Sequence, residues 1–410
     1  MYKEISKCRI SHSNNLVEVL SLGDQYLSGV FPKTANETLS HGPLDLVWCP
    51  DSGLLQLKQS YSLEEMYGNN YGYRSGLNQS MVDHLTHKAK YLEKLCNLSS
   101  NDLVGDIGSN GATFLKAIPL KNITRVGIDP SGRKFKEFYS DSIDLITEFF
   151  PSEKFNEIYK GKKAKLVTSL SMFYDLEDPL GFIESISELL TDDGVWHFEQ
   201  SYLPSMLRTG SYDTICHEHL EYYSVGVVKK MLADSGLIII DIQFNDINGG
   251  SFAVTAAKKT TSLKSNQVVI DWLLRQEEKM GLDTIKPYKD FEYGVHDHKK
   301  NLRDIVCSLN ADGKKIIGYG ASTKGNILLQ FCGLTEKEIP YIAEVNQDKF
   351  GCFTPGTNIP IISEEEARKM EPDYFFVLPW HFKSGILQRE REFISNGGKF
   401  LVPLPEIQII

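Results

Sequence analysis

The sequence is short of cysteine, has no long apolar run and carries no excess of positive charge. Seven cysteines scattered over 410 residues make no disulfide framework, so the chain reads as one kept reduced. The opening stretch from Met1 to Cys8 has neither the apolar core nor the cleavage pattern of a secretory leader. No run is long enough to span a bilayer. These absences set the expectation of a cytoplasmic protein with no membrane partner. A formal net charge of −10 argues against nucleic acid as a general ligand. It leaves room for a phosphorylated small molecule, which needs only local donors. Repeats and low-complexity tracts are also missing. What remains is 41% hydrophobic and 24% charged, a globular composition, at a length that calls for two or three domains.

One shortage is local. Cys8-Arg9-Ile10-Ser11 and Cys49-Pro50-Asp51-Ser52 look like two CxxC knuckles that have each lost the second cysteine. Structural zinc takes four thiolates or imidazoles. Only Cys8 and Cys49 remain, with His12 as a possible third ligand, so zinc is doubtful and no metal is expected.

The densest chemistry lies in Cys216-His217-Glu218-His219-Leu220-Glu221-Tyr222-Tyr223. Imidazoles, carboxylates and phenols this close together suit proton transfer near neutral pH. Isolated histidines more often serve a surface or a core, so the weight of this block depends on the rest of the chain. Upstream, the stretch from Tyr67 to Gly76, with Tyr71 and Tyr73, suits a ligand-facing loop.

A helix is expected over 80–98, then a strand–turn–helix at Leu103-Val104-Gly105-Asp106-Ile107-Gly108-Ser109-Asn110-Gly111. Gly108 and Gly111 let backbone approach a ligand. Asp129 ends the next strand, 18 residues after Gly111, where a carboxylate can accept from two ribose hydroxyls. A dinucleotide fold shares this layout. However, the pattern is Asp-x-Gly-x-x-Gly, and Asp106 would repel a pyrophosphate while suiting the cationic end of S-adenosylmethionine. The cofactor contacts expected are Asp106, Gly108, Asn110, Gly111, Asp129 and Ser169, the last on a strand over 164–170. Alternating strands and helices continue to about residue 257, closing a mostly parallel sheet with an antiparallel edge. A polar helical connector follows, then a second glycine turn, Gly318-Tyr319-Gly320-Ala321-Ser322-Thr323-Lys324-Gly325-Asn326. Its backbone N–H groups, Ser322 and Lys324 suit a phosphate, although it is not a P-loop. A turn that only packs helix on strand is the alternative.

Three blocks together resemble the sugar C-methyltransferases that act on nucleotide-linked keto-deoxysugars. They are the Asp106–Gly111 turn, the Tyr212–Tyr223 block with Asn248-Gly249-Gly250-Ser251, and the Gly318–Asn326 turn with the Phe353–Ile361 stretch. The resemblance runs along essentially the whole chain. It implies an α/β protein with a class I S-adenosylmethionine-dependent methyltransferase (Rossmann-like) domain at 81–260. A small N-terminal zinc-ribbon-like domain, degenerate here, would fill 1–80. A helical connector would span 261–305 and a C-terminal α/β Rossmann-like domain 306–410. It further implies His219 as the base, with Glu218 and Tyr71 or Tyr73 near the sugar. His217 and Tyr222 stand as donors to an enolate oxygen, and Tyr319, Ser322 and Lys324 as substrate contacts. The implied reaction is C-3 methylation of a dTDP- or GDP-linked 4-keto-6-deoxyhexose. O- or N-methylation of a similar sugar, or a catalytically dead nucleotide-sugar binder, are the alternatives. The chain departs from the family at both CxxS turns. It also departs at Cys216, where a Tyr is common, and at Phe173-Tyr174, where a His is common.

Overall fold

The computed structural model describes residues 2–35, 37–62, 66 and 74–410. Its centre is a seven-stranded sheet built, in chain order, from Leu103–Ile107, Thr124–Ile128, Ile143–Ile146, Ala164–Leu170, Leu190–Ser201, Leu237–Asn245 and Ser251–Lys258. Across the sheet these run third, second, first, fourth, fifth, seventh, sixth. The direction of winding reverses between the first and fourth strands. Their carboxyl ends therefore form the crevice in which open α/β sheets bind ligands. The first strand is buried at every residue, as a strand covered on both faces must be.

Only Ser251–Lys258 runs antiparallel to its neighbours. It was expected at the sheet's edge and lies one place in. The short turn Ile247–Gly249 folds it back between the fifth and sixth strands, leaving Leu237–Asn245 outermost. The expected helix over 80–98 is Gln79–Leu95, capped by Asn78, whose side chain accepts from Ser80 N–H. Its buried Met81, Leu85, Ala89 and Leu92 fall on one helical stripe. The left-handed backbone at Asn97 stops it short of residue 98.

The N-terminal region folds as a four-stranded antiparallel sheet, and one of its strands comes from far along the chain. In order across the sheet these are Glu221–Tyr222, Leu55–Leu57, His41–Trp48 and Val17–Tyr26. The histidine block is thus sewn into the N-terminal sheet, with Leu57 N–H donating to Leu220 O at 2.8 Å. Buried Arg9 braces the join, bonding Leu57 O at 2.7 Å and facing Glu221 at 3.5 Å.

The polar connector is two helices, Gln267–Met280 and Lys286–Ala311. Tyr288, Phe291, Val295, Leu302 and Val306 of the second form an apolar stripe that joins the C-terminal core. The expected limits at 80/81 and 305/306 both fall inside helices, because a continuous helix carries the chain from one unit to the next. The C-terminal sheet has six strands, all parallel but the last, with Ile316–Tyr319 and Tyr374–Val377 at its centre.

Candidate active site

The first glycine turn occupies the crevice. Gly108 has φ +75°, a left-handed conformation that favours glycine, and carries the chain sharply off the first strand. Asp106 lies beneath it, almost fully buried, accepting from Thr168 Oγ1 at 2.6 Å. Burial pushes its carboxyl up to about 7; Asp129's charge adds to the rise and the Thr168 bond opposes it. Asp129 stands at the end of the second strand. It accepts from Asn110 N–H and Ser131 N–H, each at 2.7 Å, and from Ser131 Oγ at 2.6 Å. Two buried acids side by side are relieved by a cation. This donor set therefore fits S-adenosylmethionine, with Asp129 Oδ2 retaining a lone pair for a ribose hydroxyl. Asn110 also accepts from Ser75 N–H at 3.1 Å, which docks the lead-in to helix Gln79–Leu95 onto the turn. Gly111 faces open room: a β-carbon there would meet only ordinary contacts at 3.8 Å and beyond.

Ser169 sits differently from the expectation. Neighbouring residues on a strand face opposite sides, and Asp106 pairs with Thr168. Ser169 Oγ accepts from Trp196 Nε1 at 3.2 Å, so the hydroxyl beside Asp106 belongs to Thr168.

Between Ser211 and Val225 only Glu218 and His219 are half-buried, and the rest are buried. His219 Nδ1 lies 2.7 Å from Thr214 O and therefore carries the ring proton. Nε2 then carries the lone pair, with no hydrogen-bond partner among the described residues. Tyr174 packs edge-on against the ring, centroids 4.3 Å apart. Burial holds the imidazole down to about 4, against the Thr214 bond and with help from the nearby Lys324 cation. Burial raises the Glu218 carboxyl above its ordinary range. Glu218 Oε2 is buried without a hydrogen-bond partner among the described residues, and Oε1 lies close to Gly29, which also has the Thr323 hydroxyl nearby. This carboxyl therefore sits where all three folded units meet.

The other members of the block turn elsewhere. His217 Nε2 donates to Gln25 O at 3.0 Å and its ring meets Tyr61, so it ties the block to the N-terminal sheet rather than facing the opening. Burial lowers it to about 4. Tyr222 is buried on the strand shared with that sheet, its hydroxyl unpartnered among the described residues. Tyr71 and Tyr73 lie outside the described residues.

The second glycine turn abuts this site, with its side chains already engaged. Tyr319 OH donates to Glu390 at 2.8 Å and accepts from Arg389 at 2.7 Å, inside the C-terminal unit. Ser322 caps helix Thr323–Cys332 by accepting from Gly325 N–H. Buried Lys324 donates to Asn248 O at 2.6 Å across the domain seam. Tyr319 and Ser322 are engaged within the C-terminal unit and Lys324 across the seam, while the Lys324 ammonium keeps further N–H donors and Ser322 its O–H. Asn326 likewise bonds Ser28 O at 2.8 Å. Sequence reasoning missed Thr168, Asp213 and Trp380. Trp380 follows a central strand at its carboxyl end, the one local signal that marked it.

The two CxxS turns converge. Cys8 Sγ lies 3.3 Å from Ser52 Oγ and Cys49 Sγ lies 3.5 Å from Ser11 Oγ. His12 is exposed beside them. Among the described residues no three of His, Cys, Asp and Glu gather as a metal group. Two thiols and two weakly acidic hydroxyls do not fit structural zinc. Elemental analysis should find far less than one zinc per chain, and chelation should leave the melting temperature unchanged. The Ser11→Cys/Ser52→Cys double variant should bind about one zinc. One tightly held zinc in the unaltered chain would overturn this reading.

Family models match in the same order as the folded units. A putative zinc binding domain matches residues 8–67, a methyltransferase domain 85–242, and a C-methyltransferase C-terminal domain 246–405. The curated C-methyltransferase NovU of Streptomyces niveus is 31% identical over 413 residues, covering 100% of this chain and 97% of that protein. Solved structures cover a smaller share of this chain. Magnesium protoporphyrin IX methyltransferase (ChlM) from Synechocystis with bound SAH is 16% identical over 44% of this chain and 83% of its own, with TM-score 0.33. The CcbJ methyltransferase from Streptomyces caelestis is 9% identical over 42% and 89%, with TM-score 0.34. The full-length match, the three family models and a class I sheet with a buried-acid glycine turn agree: the chain belongs to the S-adenosylmethionine-dependent C-methyltransferases.

Proposed function

We propose that the enzyme methylates C-3 of a nucleotide-linked 4-keto-6-deoxyhexose through an enolate. The observation that carries this reading is His219, its Nδ1 proton committed to Thr214 O, which leaves the Nε2 lone pair as the basic site, next in the chain to Glu218, whose Oε2 is buried with no hydrogen-bond partner among the described residues. A sugar C–H bond is not acidic by itself, but a ketone at C4 makes the C3 proton removable. His219 Nε2 takes that proton, and the C3–H electron pair becomes the enolate of C3, C4 and the ketone oxygen. Burial raises the Glu218 carboxyl, and in its protonated form it supplies an O–H donor for the enolate oxygen. Such a preorganised donor contributes about 3 kcal/mol to catalysis of this type. The enolate charge beside the ring also offsets the low basicity that burial imposes on His219. Bound S-adenosylmethionine supplies an electrophilic methyl group. The turn at Asp106–Gly111 and Asp129 would hold it near the enolate, and its sulfur would leave with the electron pair of the methyl–sulfur bond as C3 takes the methyl group.

The test offers the protein dTDP- and GDP-linked 4-keto-6-deoxyhexoses and their C4-reduced counterparts, with mass spectrometry of the products. One methyl group should appear on a keto sugar, at C3, and none on the reduced sugars. Methylation of a reduced sugar would replace this reading with O-methylation. No transfer to any of them would refute it in favour of a binding protein.

A further inference from the structure

The C-terminal unit reaches the histidine block at a point that no motif marks. Trp380 opens the short turn Trp380–Phe382 just beyond the strand Tyr374–Val377. Its indole N–H donates to Asp213 Oδ2 at 2.7 Å, a contact spanning 167 residues of chain. The ring is seated against Gly249, where a β-carbon would stand 2.7 Å from it. Asp213 is 1% exposed and its second oxygen has no hydrogen-bond partner among the described residues. It sits at the middle of the turn Tyr212–Thr214, and the carbonyl of Thr214 in that turn holds His219 Nδ1. Lys324 and His298 also face Asp213 through their charge, but the indole supplies its hydrogen bond.

We propose that Trp380 is a positioning residue for the methyl transfer. It fixes Asp213, Asp213 fixes the Tyr212–Thr214 turn, and the turn's carbonyl holds His219 in the one tautomer that presents Nε2 as a base. The proposal rests on the reading of His219 as the base. Its physical ground is the cost of a buried carboxylate with no donor, which a short turn relieves by shifting. Once Thr214 O moves, nothing holds the proton on Nδ1. The ring then also populates the form with the proton on Nε2, which faces the substrate with no lone pair.

The tautomer can be read without any substrate. In the full-length chain labelled with ¹⁵N-histidine, the His219 signals are identified by their loss in His219→Asn. The unaltered protein should show only the Nδ1–H form. Trp380→Phe keeps a ring against Gly249 but deletes the donor, and it should show both tautomers. Its turnover per folded molecule should fall about tenfold, with affinity for S-adenosylmethionine unchanged. Asp213→Ala should reproduce both changes without touching the tryptophan. Asp213→Asn, which still offers the indole an oxygen, should keep a single tautomer. A single Nδ1–H tautomer retained in both Trp380→Phe and Asp213→Ala would overturn the proposal. If tautomers mix while turnover holds, Trp380 still positions the ring and the reading of His219 as base is what falls.

Discussion

His219→Asn should lower turnover by about 10²-fold or more, the usual scale for loss of a general base. Asparagine preserves approximate size and a donor toward Thr214 O but has no basic lone pair. The variant should still bind S-adenosylmethionine, because the cofactor turn Asp106–Gly111 is a separate segment of the chain. With a 4-keto sugar nucleotide carrying deuterium at C3, the unaltered enzyme should release deuterium to water and place the methyl on C3; the variant should do neither. If His219 only packs, the substitution would instead lower the melting temperature and leave turnover per folded molecule within a few-fold. The pH dependence is a second reading of the same residue. The base works when neutral, and burial holds His219 down to about 4. The acid limb of kcat/KM should therefore rise through about pH 4 and be complete well below neutrality. A free imidazole would place that limb near 6.5. A limb at the ordinary value would mean that His219 is not the titrating base.

Asp129→Ala should weaken S-adenosylmethionine binding by about 2 kcal/mol, roughly 30-fold, the scale of charge-assisted hydrogen bonds. The carboxylate has two duties here. It faces the crevice, and it also caps the turn Pro130–Arg133 through Ser131. Ser131→Ala separates the duties, because it removes the hydroxyl from the cap and leaves the carboxylate in place. Calorimetry should find affinity nearly unchanged in Ser131→Ala and reduced in Asp129→Ala. Unchanged affinity in Asp129→Ala would remove the ribose from this position.

Local chemistry made much of the molecule legible. Alternating apolar runs and glycine turns marked the central strands. Asp106 and Asp129 were found because a glycine turn and a strand end each impose a short-range pattern. The strand Ile143–Ile146 was missed: only its end residues are buried, too short a run to stand out. The N-terminal strands were missed for a different reason, since their pairing depends on a strand from the histidine block.

Within the site, the sequence by itself determined which reactive groups exist and that they cluster: the HEH triplet, the acid-bearing glycine turn and the two serines at the knuckles. Tertiary structure alone decided which way each one points. Thr168 rather than Ser169 meets Asp106 because strand register sets the face. His217 turns to Gln25 while His219 keeps its Nε2 free, because one is sewn to the N-terminal sheet and the other is held by the turn at Thr214. Lys324 is tied to Asn248 O, and Asp213 is held by Trp380, because domains distant in sequence close over the same seam. A side chain's type is carried by the residue itself. The partner that fixes its proton, direction and charge comes from a segment whose distance along the chain leaves no local trace.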